Sequence, residues 1–447
     1  MKPTRTNLSS AAVTTLAIAL FAGSAVAQPD IAVSELSNPT NFGSVDGIRS
    51  YAFGFSACNM GDTPIDWINS TNRHPVFTSQ LYRLYGGRFE QIGLSLAFHE
   101  FFPLETGGCG TCIPSGNFQT LGAGCSNVNS AGIGGSQQSL GLRTEINPAS
   151  GDFQYPFTGI NITGDAIFKR LRASEADLST PDARYFFEGQ YISPDDAAAG
   201  NGDNNASYRE ANINPATFSA SFTGPTVQNV PAIFAWASAD PDVQIAQADA
   251  PDGGRYIVGS KATQVEGGYL YEYAVYNQNS SISATGFAAP HPGVNETPQV
   301  IALGFHDVDY HSGDPVDGTD WPGVEDTFWA RWDAVPPAPL SVVQNSIRWG
   351  TLYNFRFVSP AEPAPSEIRI YLDDGGSIRV PALAAGDLRC SAGDFAEPFF
   401  VLDLADLQTY INLFLNGSAQ ADIQEPFSVL DLADLQAFIN GFVGGCN

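Results

Sequence analysis

Two copies of one phrase close this chain and narrow what its end can become. DFAEPFFVLDLADLQTYINLFLNG begins at Asp394 and DIQEPFSVLDLADLQAFINGFVGG at Asp422, and 16 of the 24 positions agree. In each copy apolar residues recur at i, i+3, i+4 and i+7: Leu407, Tyr410, Ile411 and Phe414, then Leu435, Phe438, Ile439 and Phe442. That spacing predicts two amphipathic helices, each preceded by an acidic, proline-containing loop. Helices this short cannot hide such stripes alone, so they are expected to pair as a small all-α two-repeat module over 390–447. Cys390 and Cys446 bracket the pair.

The opposite end reads as a secretory signal over 1–27: Lys2 and Arg5, an apolar run from Ala11 to Ala22, then Ala25, Val26 and Ala27 before Gln28. No later apolar run approaches the roughly 20 residues of a membrane-spanning helix, so an exported, soluble mature chain without a membrane span is expected. Acidic residues outnumber basic ones 47 to 20. That balance argues against nucleic acid as a partner. It suits a solvated surface, with or without bound divalent cations. Aromatics make up 12% of the chain, and 45 glycines and 30 prolines accompany only 15% charged residues, a profile of a turn-rich β protein rather than a disordered tail.

The expected fold class is therefore mainly β, a sandwich-like body in two β regions, with the α-helical module at the end. The divisions are a disulfide-stapled region at 28–211, a second sandwich-like region at 212–380, a linker at 381–389 and the repeat. Strand-like runs lie at 48–55, 81–84, 91–98, 165–172 and 184–191, then at 233–236, 255–258, 269–276, 300–305, 346–357 and 368–372. Period two in 269–276 puts Tyr269, Tyr271, Tyr273 and Val275 on one face and Leu270, Glu272, Ala274 and Tyr276 on the other, suiting a sheet with one face more buried. Prolines 360, 363 and 365 mark a loop.

Six cysteines in an exported chain argue for disulfides. Cys58, Cys109, Cys112 and Cys125 allow three connectivities, and Cys390 and Cys446 form the second set. Cys109-Gly-Thr-Cys112 also has the spacing of a thiol redox pair or half a zinc site, but it opens no helix and the compartment is oxidising.

Several groups have the chemistry of a site. His306, Asp307, Asp309 and His311 run into Asp314, Asp317 and Asp320; on a strand, Asp307, Asp309 and His311 would share one face, a set suited to a metal or to acid-base work. His74, His99 and Glu100 are candidates to join them. The turn holding Asp195, Asp203 and Asn205 offers hard oxygen donors to calcium. Trp67, Trp236, Trp321, Trp329, Trp332 and Trp349 suit either sandwich cores or sugar-stacking platforms. In the tail, Asp394 and Asp422 open the loops, with Asp403, Asp406, Asp431 and Asp434 at offsets of 9 and 12. Two accounts fit these acids and can hold together: calcium ligation, and helix capping by Asp403 and Asp431 with Asp406 and Asp434 at the third helical position. No hydrolase elbow, Walker loop, H-E-x-x-H or dinucleotide fingerprint is present in the sequence.

The duplicated V-L-D-L-A-D-L at 401–407 and 429–435, with Cys390 before it and Gly445-Cys446 after it, resembles the Gly-Cys-ending variant of dockerin domains of secreted bacterial proteins. The resemblance covers 390–447 and implies a two-repeat calcium-binding module that docks onto a cohesin partner and fixes its cargo to a scaffold or cell surface. The family's D-x-N-x-D-G loop is here Asp394-Phe-Ala-Glu-Pro-Phe and Asp422-Ile-Gln-Glu-Pro-Phe, with Glu397 and Glu425 as alternative oxygen donors. Phrases of the body such as HPVFTSQLYRLYGGRFEQIG resemble uncharacterised secreted bacterial proteins with similar tails. The expected function is a secreted, non-catalytic surface or matrix protein displayed through its tail. The alternative is a carbohydrate-active hydrolase anchored the same way, with polysaccharide as the partner of the body.

Overall fold

The computed structural model describes residues 28–291, 300–309, 311–326, 329–337, 343–386, 391–396, 402–418, 421–424 and 429–445. The signal segment, Cys390, Cys446, Glu397 and Glu425 lie outside them.

Four antiparallel sheets stack as two sandwiches placed face to face. The first outer sheet joins Ile31–Val45, Ile48–Asn59, Leu171–Ser174 and Ser126–Asn129. Its partner runs in the order Ala220–Phe222, Ala206–Ile213, Arg184–Ile192, Val76–Tyr85, Ala97–His99 and Leu140–Gly141, with Arg88–Leu94 also on Val76–Tyr85. The third sheet runs Gln244–Asp249, Arg255–Val265, Gly268–Asn277, Thr351–Ser359 and Ile301–His306. The fourth runs Gly323–Glu325, Trp329–Asp333, Ala284–Pro290, Pro363–Leu372 and Ser377–Ala385.

Three cores separate the four layers. Phe53, Phe55, Phe77, Leu81, Phe187 and Tyr191 fill the first sandwich, and Tyr271, Tyr273, Phe287, Trp332, Phe355 and Phe357 the second. Between them, Tyr82, Phe89 and Phe186 of one inner sheet meet Ile257, Ala274, Tyr276 and Leu352 of the other, with Trp236 wedged alongside. Both inner sheets are therefore covered on both faces. The tyrosine-rich strand Gly268–Asn277 alternates as expected, but each of its faces enters a core, so the prediction of one face more buried is corrected.

The seam between the sandwiches is polar as well as apolar. Gln91 donates to the Gly350 carbonyl at 3.0 Å and accepts from the Leu352 amide at 2.8 Å, so one side chain takes the place of a strand neighbour. Asn354 donates to the Phe89 carbonyl, and Arg88 pairs with Glu272 at 2.9 Å. Such cross-links satisfy buried groups that would otherwise each cost about 1–3 kcal/mol.

Four local expectations change. Residues 233–236 are not a strand; they lead into the helix Phe234–Ala239, whose Trp236 Nε1 donates to Gly87. Strand structure near 165–172 is confined to Leu171–Ser174, because the preceding residues form turns around Asp165. Pro363 and Pro365 lie inside a strand, on the part of Pro363–Leu372 that has a ladder neighbour on one side only, where a missing N–H is tolerated. Residues 381–385, read as linker, complete Ser377–Ala385.

In the tail, helices Leu404–Leu415 and Leu432–Gly444 pack around Tyr410 and Phe438, whose rings stack at 4.0 Å and 3°. These two residues occupy the same place in the two repeats, so an approximate twofold axis passes between their rings. Gly393 and Gly441 permit the start of the tail to cross the second helix: a Cβ on Gly393 would meet the Phe442 amide at 2.3 Å.

Candidate functional sites

The tail acids are placed by helix starts. Asp406 accepts the Phe395 and Ala396 amides on one oxygen, at 2.6 and 2.7 Å, and the Asp403 amide on the other at 2.8 Å. Asp434 repeats this with Ile423, Gln424 and Asp431. Asp403 and Asp431 cap the helices by accepting the Ala405 and Ala433 amides. The capping account therefore describes these four acids, and each loop is cinched to its helix by a carboxylate. Asp394 and Asp422 are buried at the loop starts. Among the described residues no three His, Cys, Asp or Glu side chains are gathered as a metal site.

The helix stripes divide in a way the periodicity did not resolve. Leu407, Phe414, Leu435 and Phe442 pack against the Tyr410–Phe438 pair. Ile411 and Ile439, expected inside, face outward with Leu404, Leu415, Leu432 and Val443. Equivalent positions of the two repeats thus present two matching apolar rows. The module's second loop rests on the outermost sheet, where Arg369 donates to the Asp422 carbonyl and stacks over Trp329 at 4.8 Å.

In the body the expected His–Asp set does not share a face. The strand ends at His306, and the chain then turns through Ser312 and Gly313, both with positive φ, so period two stops applying. Asp307 is buried against Asn345, with Tyr353 on the same amide, and burial pushes its carboxyl up to about 7. Asp309 is more exposed, and its carboxyl is also raised by burial. His311 accepts from Arg348 at 2.8 Å; burial, then the Arg348 and Arg143 charges, keep it neutral. Arg348 in turn reaches Asp314. His306 borders a cavity of only about 10 Å³, no larger than a water.

His74 and His99 meet each other at 3.1 Å among Phe153, Tyr155 and Phe157, in the first sandwich. Burial lowers His74 to about 4 and His99 further. Glu100 faces elsewhere, accepting from Tyr191, Asn129 and Asn127, and is pushed up to about 8 by burial. The histidines are thus divided between separate partners.

The weaker calcium candidates also have other partners. Asp195 accepts the Asp66 amide, Asp203 pairs with Arg255 at 2.8 Å, and Asn205 donates to Asp196. The turn containing Asp195 is the short helix Pro194–Ala199. Asp196, next to Asp195 in the same turn, is the buried member and holds the Ile31 amide of the first strand. Five tryptophans are buried in cores; Trp329, beneath Arg369, is partly exposed.

Disulfides join Cys58 to Cys109 and Cys112 to Cys125. Cys109 and Cys112 take different partners, which overturns both the redox-pair and the zinc readings. Two such bonds mark a chain that matures in an oxidising compartment. No helix among the described residues is long and apolar enough to cross a membrane.

No family model matches the sequence, and no curated protein does. Among solved structures, the C-terminal domain of the Streptococcus pyogenes antigen I/II-family protein AspA aligns over 80% of this chain and 99% of its own, at 10% identity and a TM-score of 0.18. The B domain of a biofilm associated protein aligns over 80% of this chain and 85% of its own, at 8% identity and a TM-score of 0.17.

Proposed function

We propose that this chain is a secreted surface or matrix protein whose double-sandwich body is displayed through its C-terminal helix pair, without catalysis of its own. The observation that carries the reading is the duplicated outward row, Leu404, Ile411 and Leu415 on one helix and Leu432, Ile439 and Val443 on the other. Exposed apolar rows on so small a module are costly in water unless a partner covers them. The resemblance to dockerins makes a cohesin-type domain the expected partner. The cinched loops hold both rows in place with carboxylates and amides, so docking does not require calcium to order Asp406 or Asp434.

The test is binding of the full chain to immobilised cohesin domains, together with its distribution between cells and medium in a producing bacterial culture. Wild type should bind and stay with the cells, and Leu415→Lys with Val443→Lys should release it. Equal release of both, with no cohesin bound, would refute the proposal.

A further inference from the structure

We propose that an aromatic groove on the disulfide-stapled loop of the first sandwich binds a neutral polysaccharide. Phe102 and Phe118 stand 50% and 66% exposed, with rings edge to face at 6.4 Å. They flank an open groove of about 450 Å³ completed by Ile68, Asn69, Asn117 and Gln119.

The backbone at Phe118 is the second observation. Its φ of 57° lies in the left-handed region, where glycine is the comfortable residue and a bulky side chain is strained. An exposed ring there adds nothing to a core, so its use lies in what it touches. Strain of this kind is found where contact geometry matters.

The loop is also stiff. The two disulfides pin it, the Glu105 carboxylate accepts the Ser115, Gly116 and Gly122 amides at 2.7, 2.9 and 3.0 Å, and Asn117 Oδ1 accepts those of Gln119 and Thr120. Rings held this way lose little freedom on binding.

The lining decides the occupant. None of the groove's lining side chains carries a charge, on a chain with 47 acidic and 20 basic residues. An anionic polymer would meet no counter-charge there and general repulsion elsewhere. Protein hot spots favour Trp, Tyr and Arg, and none of these lines the groove. Pyranose rings offer what it does match: apolar C–H faces for phenyl rings, and uncharged hydroxyls for amides that both donate and accept.

The experiment measures retention of the purified full chain on insoluble cellulose, chitin and β-1,3-glucan, and calorimetric titration with soluble xylan and mannan, using polygalacturonate as the anionic comparison. Expected is binding to at least one neutral polysaccharide, insensitive to added salt and weakened about tenfold or more by Phe118→Gly and by Phe102→Ala. Phe118→Gly suits the left-handed backbone, so its melting temperature should hold or rise while binding falls. Retention on none of the neutral polymers, retention kept by both variants, or retention on polygalacturonate alone would overturn the proposal. So would a concentration-dependent dimer abolished by Phe118→Gly, which would assign the groove to a second copy. Failure here leaves docking through the tail untouched, because Leu415 and Val443 test that separately.

Discussion

Glu100, Glu188, Asp196 and Asp307 sit where water does not reach, and burial raises Glu100 to about 8 and the other three to about 7. Glu188 lies in the seam between sandwiches, taking the Tyr82 and Tyr276 hydroxyls on one oxygen and the Ala232 amide on the other. A carboxyl whose folded pKa is raised stabilises fully below its unfolded value and loses that contribution as the pH rises through its folded value. The melting temperature should therefore fall between about pH 5 and pH 8. Glu188→Gln, neutral throughout, should match wild type at the acid end and exceed it at the alkaline end by up to about 3 kcal/mol. A flat profile in wild type would show that these acids ionise without cost. Asp307 and Glu100 stand out in the sequence beside histidines, Glu188 and Asp196 do not, and in none of the four is burial itself readable, since burial is a tertiary property. In the tail, Asp406→Asn should lower the melting temperature by the equivalent of about 1–3 kcal/mol, because charged acceptance of three amides is weakened. Chelator should leave wild type unchanged; a chelator-sensitive transition would instead assign Asp394 and Asp422 to calcium.

At the scale of elements, the tail is held by one central ring pair. Tyr410→Ala or Phe438→Ala should cost about 3–5 kcal/mol and melt the module while the body's transition stays in place, as calorimetry of the full chain would resolve. Loss of the body's transition as well would show the two to be one cooperative unit. These helices were legible because period 3.6 and the duplication agree. Ile411 and Ile439 were misplaced because a lone helix pair buries a narrower stripe than the four-residue pattern suggests. The opposite failure occurs at Ile31–Val45, a strand the sequence hid behind Asn38, Pro39 and Gly43. Register shifts in its pairing with Ile48–Asn59 absorb Asn38 and Pro39, and then Phe42 just before Gly43, as bulges, with Asn38 at a φ of 42°. Cys390 and Cys446 bracket the module in sequence and lie outside the described residues. A bond between them should stabilise the module by about 4 kcal/mol on the chain-entropy estimate, and finding both as free thiols in the native protein would refute it.

The molecule as a whole is mainly β, as composition and turn spacing indicated, yet the face-to-face stacking of its sandwiches was not readable. Alternation tells which residues share a face but not what covers it, so Tyr82, Phe186 and Tyr276 read as ordinary strand residues. With the seam closed, the body should unfold in one transition, and Trp236→Ala should lower that transition by the equivalent of about 3–5 kcal/mol rather than release one half. Two separated transitions in wild type would contradict this. The seam also imposes an order on biogenesis. The strands of the first sandwich end at Phe222, but the outer side of its inner sheet waits for a cover that includes Thr351–Ser359. A chain that folds from its N-terminus as it emerges would therefore carry a finished sandwich with a sticky, uncapped back until much later residues arrive.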